Sequence, residues 1–145
     1  MFKKIAVAFD ESPEAGRAFR SALTLAKFSS AQIHLITVLE NFPAYMSYVA
    51  SFAPDVPVML RNEKRNFYVD LQGKAKAEAD RAGVSLIPEI TEGDVSAELL
   101  RVIEEIKPDL LVVGLCHDHG AVGRLMGGAA HSMAVHAKCN LMGVH

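Results

Sequence analysis

The residues best suited to chemistry stand where two apolar runs stop. Ile5 to Phe9 ends at Asp10, followed by Glu11 and Ser12. Leu110 to Val113 ends at Gly114 and opens into a glycine- and histidine-rich stretch holding His117, Asp118, His119, Gly127 and Gly128. A carboxylate at a strand end accepts hydrogen bonds from a ribose hydroxyl or an adenine amine, or it merely starts a turn. A glycine-rich loop leading into a helix offers backbone N–H groups and the positive end of a helix dipole to a phosphate. The amides of Gly128, Ala129 and Ala130 stand where such a helix is expected to begin. Gly127-Gly128 reads equally as a flexible helix start with no ligand.

Other arrangements promise less. His117-Asp118-His119 has ligand chemistry for zinc or nickel, but no third ligand follows at a recognisable spacing, and His131 and His136 are five residues apart, off one helical face. A solvated loop is the preferred reading, with no metal. There is no G-x-S-x-G elbow, no G-x-x-x-x-G-K-S/T phosphate loop and no H-E-x-x-H pair. No catalysis is expected. Cys116 and Cys139 lack zinc or C-x-x-C spacing and read as two buried thiols in a reducing compartment.

The elements that must position these residues alternate. Ile5–Phe9 reads as a buried strand, and Ser12-Pro13-Glu14 opens a helix with a hydroxyl cap, a first-turn proline and an acid near the dipole's positive end. Ile33–Leu39 is a second strand. Leu60, Phe67, Leu71, Ala75 and Ala82 share a face of a long helix ending at Gly83. Val84–Ile90 is a third strand. Asp94 caps a helix through Ile106. Leu110–Val113 is a fourth strand, a helix is expected from about Gly128 to Ala137, and Leu141–Val144 is the fifth strand. Continuously apolar strands alternating with helices mean a Rossmann-like α/β fold, an open parallel sheet covered on both faces. In such sheets ligands bind beyond the carboxyl ends of strands where chain order reverses. That puts the Asp10 and Gly114 ends at one cleft if their strands are neighbours.

The long irregular stretch, Asn41 to Pro57, gathers Phe42, Tyr45, Tyr48 and Phe52. It reads as a hydrophobic flap over the cleft, a partner-docking patch, or a lead-in to the second helix packed on the core.

Composition narrows the setting. The chain has 145 residues, one domain's worth, half of them hydrophobic and 22% charged. Its formal net charge of −2 gives no basic field for nucleic acid. No apolar run approaches the roughly 18 residues of a membrane span. The apolar stretch after Lys3-Lys4 stops at Asp10, too short for a signal peptide, so a cytoplasmic location is expected.

In combination, four segments resemble the universal stress protein family. Ile5-Ala6-Val7-Ala8-Phe9-Asp10-Glu11-Ser12 is similar to its first-strand signature V-A-x-D-x-S. Thr91-Glu92-Gly93-Asp94 resembles its E-G-D turn, Pro108 to Gly114 its A-D-L-I-V-V-G strand, and His136-Ala137-Lys138-Cys139-Asn140-Leu141-Met142 its H-A-x-C-P-V-L ending. The resemblance implies five parallel strands in the order 3-2-1-4-5, with ATP bound between strands one and four in many members. Its motif G-x2-G-x9-G-S/T places the first glycine at Gly114 and the third at Gly127. The second falls on His117 and the hydroxyl residue on Gly128, so two positions depart from the pattern. By the same resemblance Ala8, Asp10 and Val38 frame adenine and ribose, flanked by Phe9 and Val113, while His117 and the amides from Gly128 to Ala130 face phosphate. AMP or weak binding is expected ahead of tight ATP binding. The resemblance also implies a homodimer through the final strand, Asn140 to Val144. The alternative is a nucleotide-independent dimeric interaction module that keeps the fold and has lost the phosphate loop.

Overall fold

A computed structural model describes residues 1–115 and 121–145, with residues 121–128 described in backbone alone. Five strands, β1 (Lys4–Ala8), β2 (Gln32–Glu40), β3 (Leu86–Gly93), β4 (Leu110–Gly114) and β5 (Asn140–Val144), form one sheet in the order β3-β2-β1-β4-β5. All pairings are parallel, with Val7 level with Leu35 on one side and Val112 on the other. The helices are α1 (Pro13–Ser29), α2 (Tyr45–Phe52), α3 (Asp55–Arg81), α4 (Val95–Ile106) and α5 (Ala121–His136).

Alternation along each strand divides the core. Ile5, Val7, Ile33, Leu35, Leu110 and Val112 pack against α1 and α3. Ala6, Ile36, Leu111 and Val113 face the other way, against Leu99, Val102 and Ile103 of α4 and Met133 of α5. Both faces are therefore apolar, as a covered parallel sheet requires.

The helix starts follow local chemistry. Ser12 caps α1, its Oγ accepting from Ala15 N–H at 3.1 Å ahead of Pro13. Asp94 caps α4, accepting from Ala97 N–H at 2.9 Å. Gly83 has a positive φ of 72° just beyond α3, a conformation that costs glycine little.

Several boundaries differ from the sequence reading. α3 begins at Asp55, ahead of Pro57, because a proline within the first turn lacks only an N–H that has no intrahelical partner there. Its buried residues are Tyr68, Gln72, Ala75 and Ala79. Phe67 is 51% exposed, so the large apolar side chains are a misleading guide to the buried face. β3 runs on through Gly93 rather than stopping at Ile90. α5 begins at Ala121, well before Gly128, where alanine, leucine, methionine and arginine favour helix despite the intervening glycines. Residues 45–52, read as irregular, form α2, which has no buried residue. It leads into α3 and rests beside it, but with no buried residue it is not packed on the core. Cys139 is half-buried rather than buried, and Cys116 lies outside the described residues.

Candidate functional site: a cleft at the ends of β1 and β4

Chain order reverses between β1 and β4. The chain leaves β1 into α1 on one face of the sheet, while α5, following β4, packs on the other. Segments that part in this way leave a crevice between them. Here it is a cleft of about 310 Å³, at the lower end of the range for small-molecule sites.

Most of its lining is apolar. Ala8, Phe9, Ile36, Val38 and Val113 come from the strand ends, Val95 and Leu99 from α4, and Ala129, Ala130 and Met133 from α5. The polar lining is Asp10, Glu11, Glu40, Lys64 and Tyr68. Of the positions singled out from the sequence, Ala8, Phe9, Asp10, Val38, Val113, Gly114, Ala129 and Ala130 all line this cleft. His117, with Asp118 and His119, lies outside the described residues. Gly127 and Gly128 fall inside α5, more than a turn beyond its start, rather than at a helix N-terminus.

Asp10 does two things. Its Oδ1 accepts from Ser12 N–H at 2.8 Å, an Asx turn that aims the chain into α1. Its other oxygen has no hydrogen bond among the described residues and belongs to a side chain lining the cleft. Gly114 is held by packing. A Cβ there would lie 2.6 Å from the carbonyl carbon of Glu14 and 2.7 Å from the nitrogen of Ala15, so the first turn of α1 needs a glycine beneath it.

Sequence reasoning missed the contribution of α3. Lys64 and Tyr68, four residues apart and so one turn apart on one face, both line the cleft. Tyr68 is buried, and its Oη donates to Glu11 Oε2 at 2.5 Å. Burial, then the bond to Glu11 and its charge, push the phenol well above its ordinary pKa, so it remains a donor. One turn further on, Gln72 Nε2 donates to Thr37 Oγ1 at 2.8 Å and to Glu89 O at 2.9 Å, while Thr37 Oγ1 donates to Phe9 O at 2.9 Å. One helix residue thus ties β2 and β3 to the chain leaving β1, beside the cleft. The available signal was the spacing Tyr68, Gln72, Ala75, Ala79, a helical stripe whose polar members disguise it.

Parallel doubly wound sheets with a cleft at the switch point form a broad class of ligand-binding α/β proteins. A model of the universal stress protein family matches residues 1–145, and the chain belongs to that family. Universal stress protein MJ0531 of Methanocaldococcus jannaschii is 26% identical over 142 residues, covering 98% of this chain and 81% of that relative. The solved structure of the universal stress protein UspA from Lactobacillus plantarum superposes with a TM-score of 0.80 at 19% identity, covering 99% of this chain and 97% of the other. A universal stress protein crystallised in complex with cAMP gives a TM-score of 0.66 at 26% identity, covering 99% and 97%.

Proposed function

We propose that this chain is a non-catalytic regulatory protein that binds an adenine nucleotide, AMP or ATP, in the cleft between β1 and β4. The observation that carries this reading is the convergence of Ala8, Asp10 and Val38 on one cleft with an apolar side and an acidic side. An adenine ring suits the apolar lining, and Asp10 and Glu11 can accept from ribose hydroxyls or the adenine amine. The cAMP-bound structure, 26% identical to this chain, supports an adenine ligand in this fold. Among the described residues, the ionisable side chains that line the cleft are Asp10, Glu11, Glu40, Lys64 and Tyr68, and none of them is a serine or cysteine beside a base.

Thermal unfolding with and without AMP, cAMP or ATP tests the reading. Ligand at one hundred times its dissociation constant adds about 2.7 kcal/mol of stability, and a melting temperature unmoved by any of the three contradicts it.

A second reading, a nucleotide-independent interaction module, is favoured by α2. Tyr45, Tyr48 and Phe52 are 65%, 70% and 73% exposed, an unusual concentration of solvent-facing aromatics. None of residues 41–57 lines the cleft, which weighs against the flap. Both readings include a homodimer through β5. That strand is an edge of the sheet with Met142 and Val144 half-buried, and edges of this kind are usually covered. Light scattering that finds only a 15.7 kDa species at micromolar concentrations contradicts the dimer. A cytoplasmic location belongs to the same proposal, with neither nucleic acid nor membrane as partner. No helix among the described residues is long and apolar enough to cross a membrane.

A further inference from the structure

We propose that Thr37 and Gln72 are positioning residues of the cleft: a hydrogen-bond relay from α3 through β2 holds the backbone at Phe9 and so aims Asp10 at the ligand. The inference rests on the nucleotide reading above and concerns how the site is held ready.

The register of β1 with β2 ends at Ala8 and Ile36, and Asp10 lies just beyond it. Backbone groups past the end of a ladder need other partners. Phe9 finds two. Its N–H donates to Ile36 O at 2.8 Å, and its carbonyl accepts from Thr37 Oγ1 at 2.9 Å. That carbonyl shares a peptide plane with the nitrogen and Cα of Asp10, so pinning the oxygen fixes where the Asp10 side chain begins. The bond from Ser12 N–H to Asp10 Oδ1 then sets the direction of the carboxylate.

The direction of the relay is forced. A carbonyl only accepts, so the Thr37 hydroxyl gives its proton to Phe9 and takes an N–H of Gln72 on a lone pair. Gln72 Nε2 donates to that hydroxyl at 2.8 Å and to Glu89 O of β3 at 2.9 Å. Thr37 and Gln72 are 1% and 3% exposed, so water is a poor substitute for either bond. Valine would fill the place of Thr37 equally well, and the hydroxyl is used on the Phe9 carbonyl. Neither side chain lines the cleft. Their route to a ligand runs through Phe9 and Asp10.

Two measurements on the full chain test this. The first is calorimetric titration with whichever of AMP, cAMP and ATP wild type binds most tightly, using Thr37→Val, Thr37→Ser and Gln72→Met, alone and with Asp10→Ala. The second is amide hydrogen exchange of the ligand-free proteins. Thr37→Val keeps the shape, removes the hydroxyl and weakens binding about ten-fold, a difference of about 1.4 kcal/mol. Gln72→Met acts in the same direction and carries the test should Thr37→Val not fold. Thr37→Ser keeps the hydroxyl and binds as wild type does. In the Asp10→Ala background Thr37→Val adds almost nothing, because the group it positions is gone. Without ligand, the Ser12 amide, bonded to Asp10, exchanges several-fold faster in Thr37→Val, while the Ala97 amide, bonded to Asp94 at the start of α4, is unchanged. Wild-type affinity in both Thr37→Val and Gln72→Met, a Thr37→Ser protein as weak as Thr37→Val, or an undiminished loss in the Asp10→Ala background overturns the relay. So does a Ser12 exchange rate that stays constant, or one that rises only together with that of Ala97. If wild type binds none of the three nucleotides while Ser12 alone responds, the nucleotide reading falls and the relay stands as the device that holds Asp10.

Discussion

Tyr68 Oη donates to Glu11 Oε2 at 2.5 Å, joining the middle of α3 to the segment that leaves β1. The phenol is buried and the carboxylate is exposed, so the bond fixes a mobile charged group from a rigid base. Tyr68→Phe keeps the packing and removes only that bond. We expect a loss of about 0.5–1.5 kcal/mol of stability by urea denaturation, as for an ordinary hydrogen bond, together with weaker adenosine binding because Glu11 is released. Unchanged adenosine affinity would show that the position of Glu11 does not matter to the ligand.

Asp10 has a turn role and a proposed ligand role, and two substitutions separate them. Asp10→Asn keeps an oxygen able to accept from Ser12 N–H, so stability is expected to hold. Asp10→Ala removes that acceptor and the free oxygen together, with an expected loss of about 1 kcal/mol of stability and about 1.5–3 kcal/mol of nucleotide affinity. If calorimetry finds Asp10→Ala binding as wild type does, the residue serves the turn alone.

Gly114→Ala drives a methyl group into the first-turn backbone of α1, and a helix cannot yield as a side-chain tip can. Overpacking of this kind costs about 1–3 kcal/mol, read in denaturation of the ligand-free protein. A change smaller than about 0.5 kcal/mol would mean that α1 shifts freely, contrary to its packing on β4.

His34 sits in β2 level with Ala6 and Ile87, and its buried Nε2 has no hydrogen-bond partner among the described residues. Burial, then the charge of Lys4, lower its pKa from the ordinary 6.5. The folded protein therefore favours the neutral ring, and the unfolded chain takes up a proton first as pH falls. His34 contributes fully above about pH 6.5, and that contribution is lost as pH falls through 6.5 toward the lowered folded value. The melting temperature should fall between pH 8 and pH 5, and His34→Leu should flatten that slope. The range stays above the titration of Asp109, whose carboxyl is held low by the backbone N–H groups of Lys4 and Lys3, and which withdraws stability only in stronger acid. An equal slope in His34→Leu would assign the acid sensitivity to other groups.

The strands and the capped helices were legible because each rule there is local. Ile5 to Phe9 is apolar without interruption, Ser12-Pro13 ahead of an alanine-rich apolar stripe is a helix-start signal, and Asp94 precedes a clean apolar stripe. Asp10 and Gly114 were legible for a related reason, since they lie at strand ends, whereas Ala8 and Val38 were implied by the family resemblance. The contribution of α3 was not. Lys64, Tyr68 and Gln72 are polar, and the burial of Tyr68 and Gln72 is decided by partners far away in sequence, Glu11, Thr37 and Glu89. Phe67, beside Tyr68, drew attention to the wrong face of the helix. α2 was hidden for the opposite reason: with no buried residue, it leaves no periodic pattern to read.

The crowding at Gly114 changes what that residue reports. A glycine closing the fourth strand is demanded by the approach of α1 whether or not any phosphate ever comes near it. A chain of this fold that had abandoned nucleotides altogether would still have to retain it. As a diagnostic of ligand binding the position is therefore nearly silent, and the informative positions are those whose side chains the packing does not dictate.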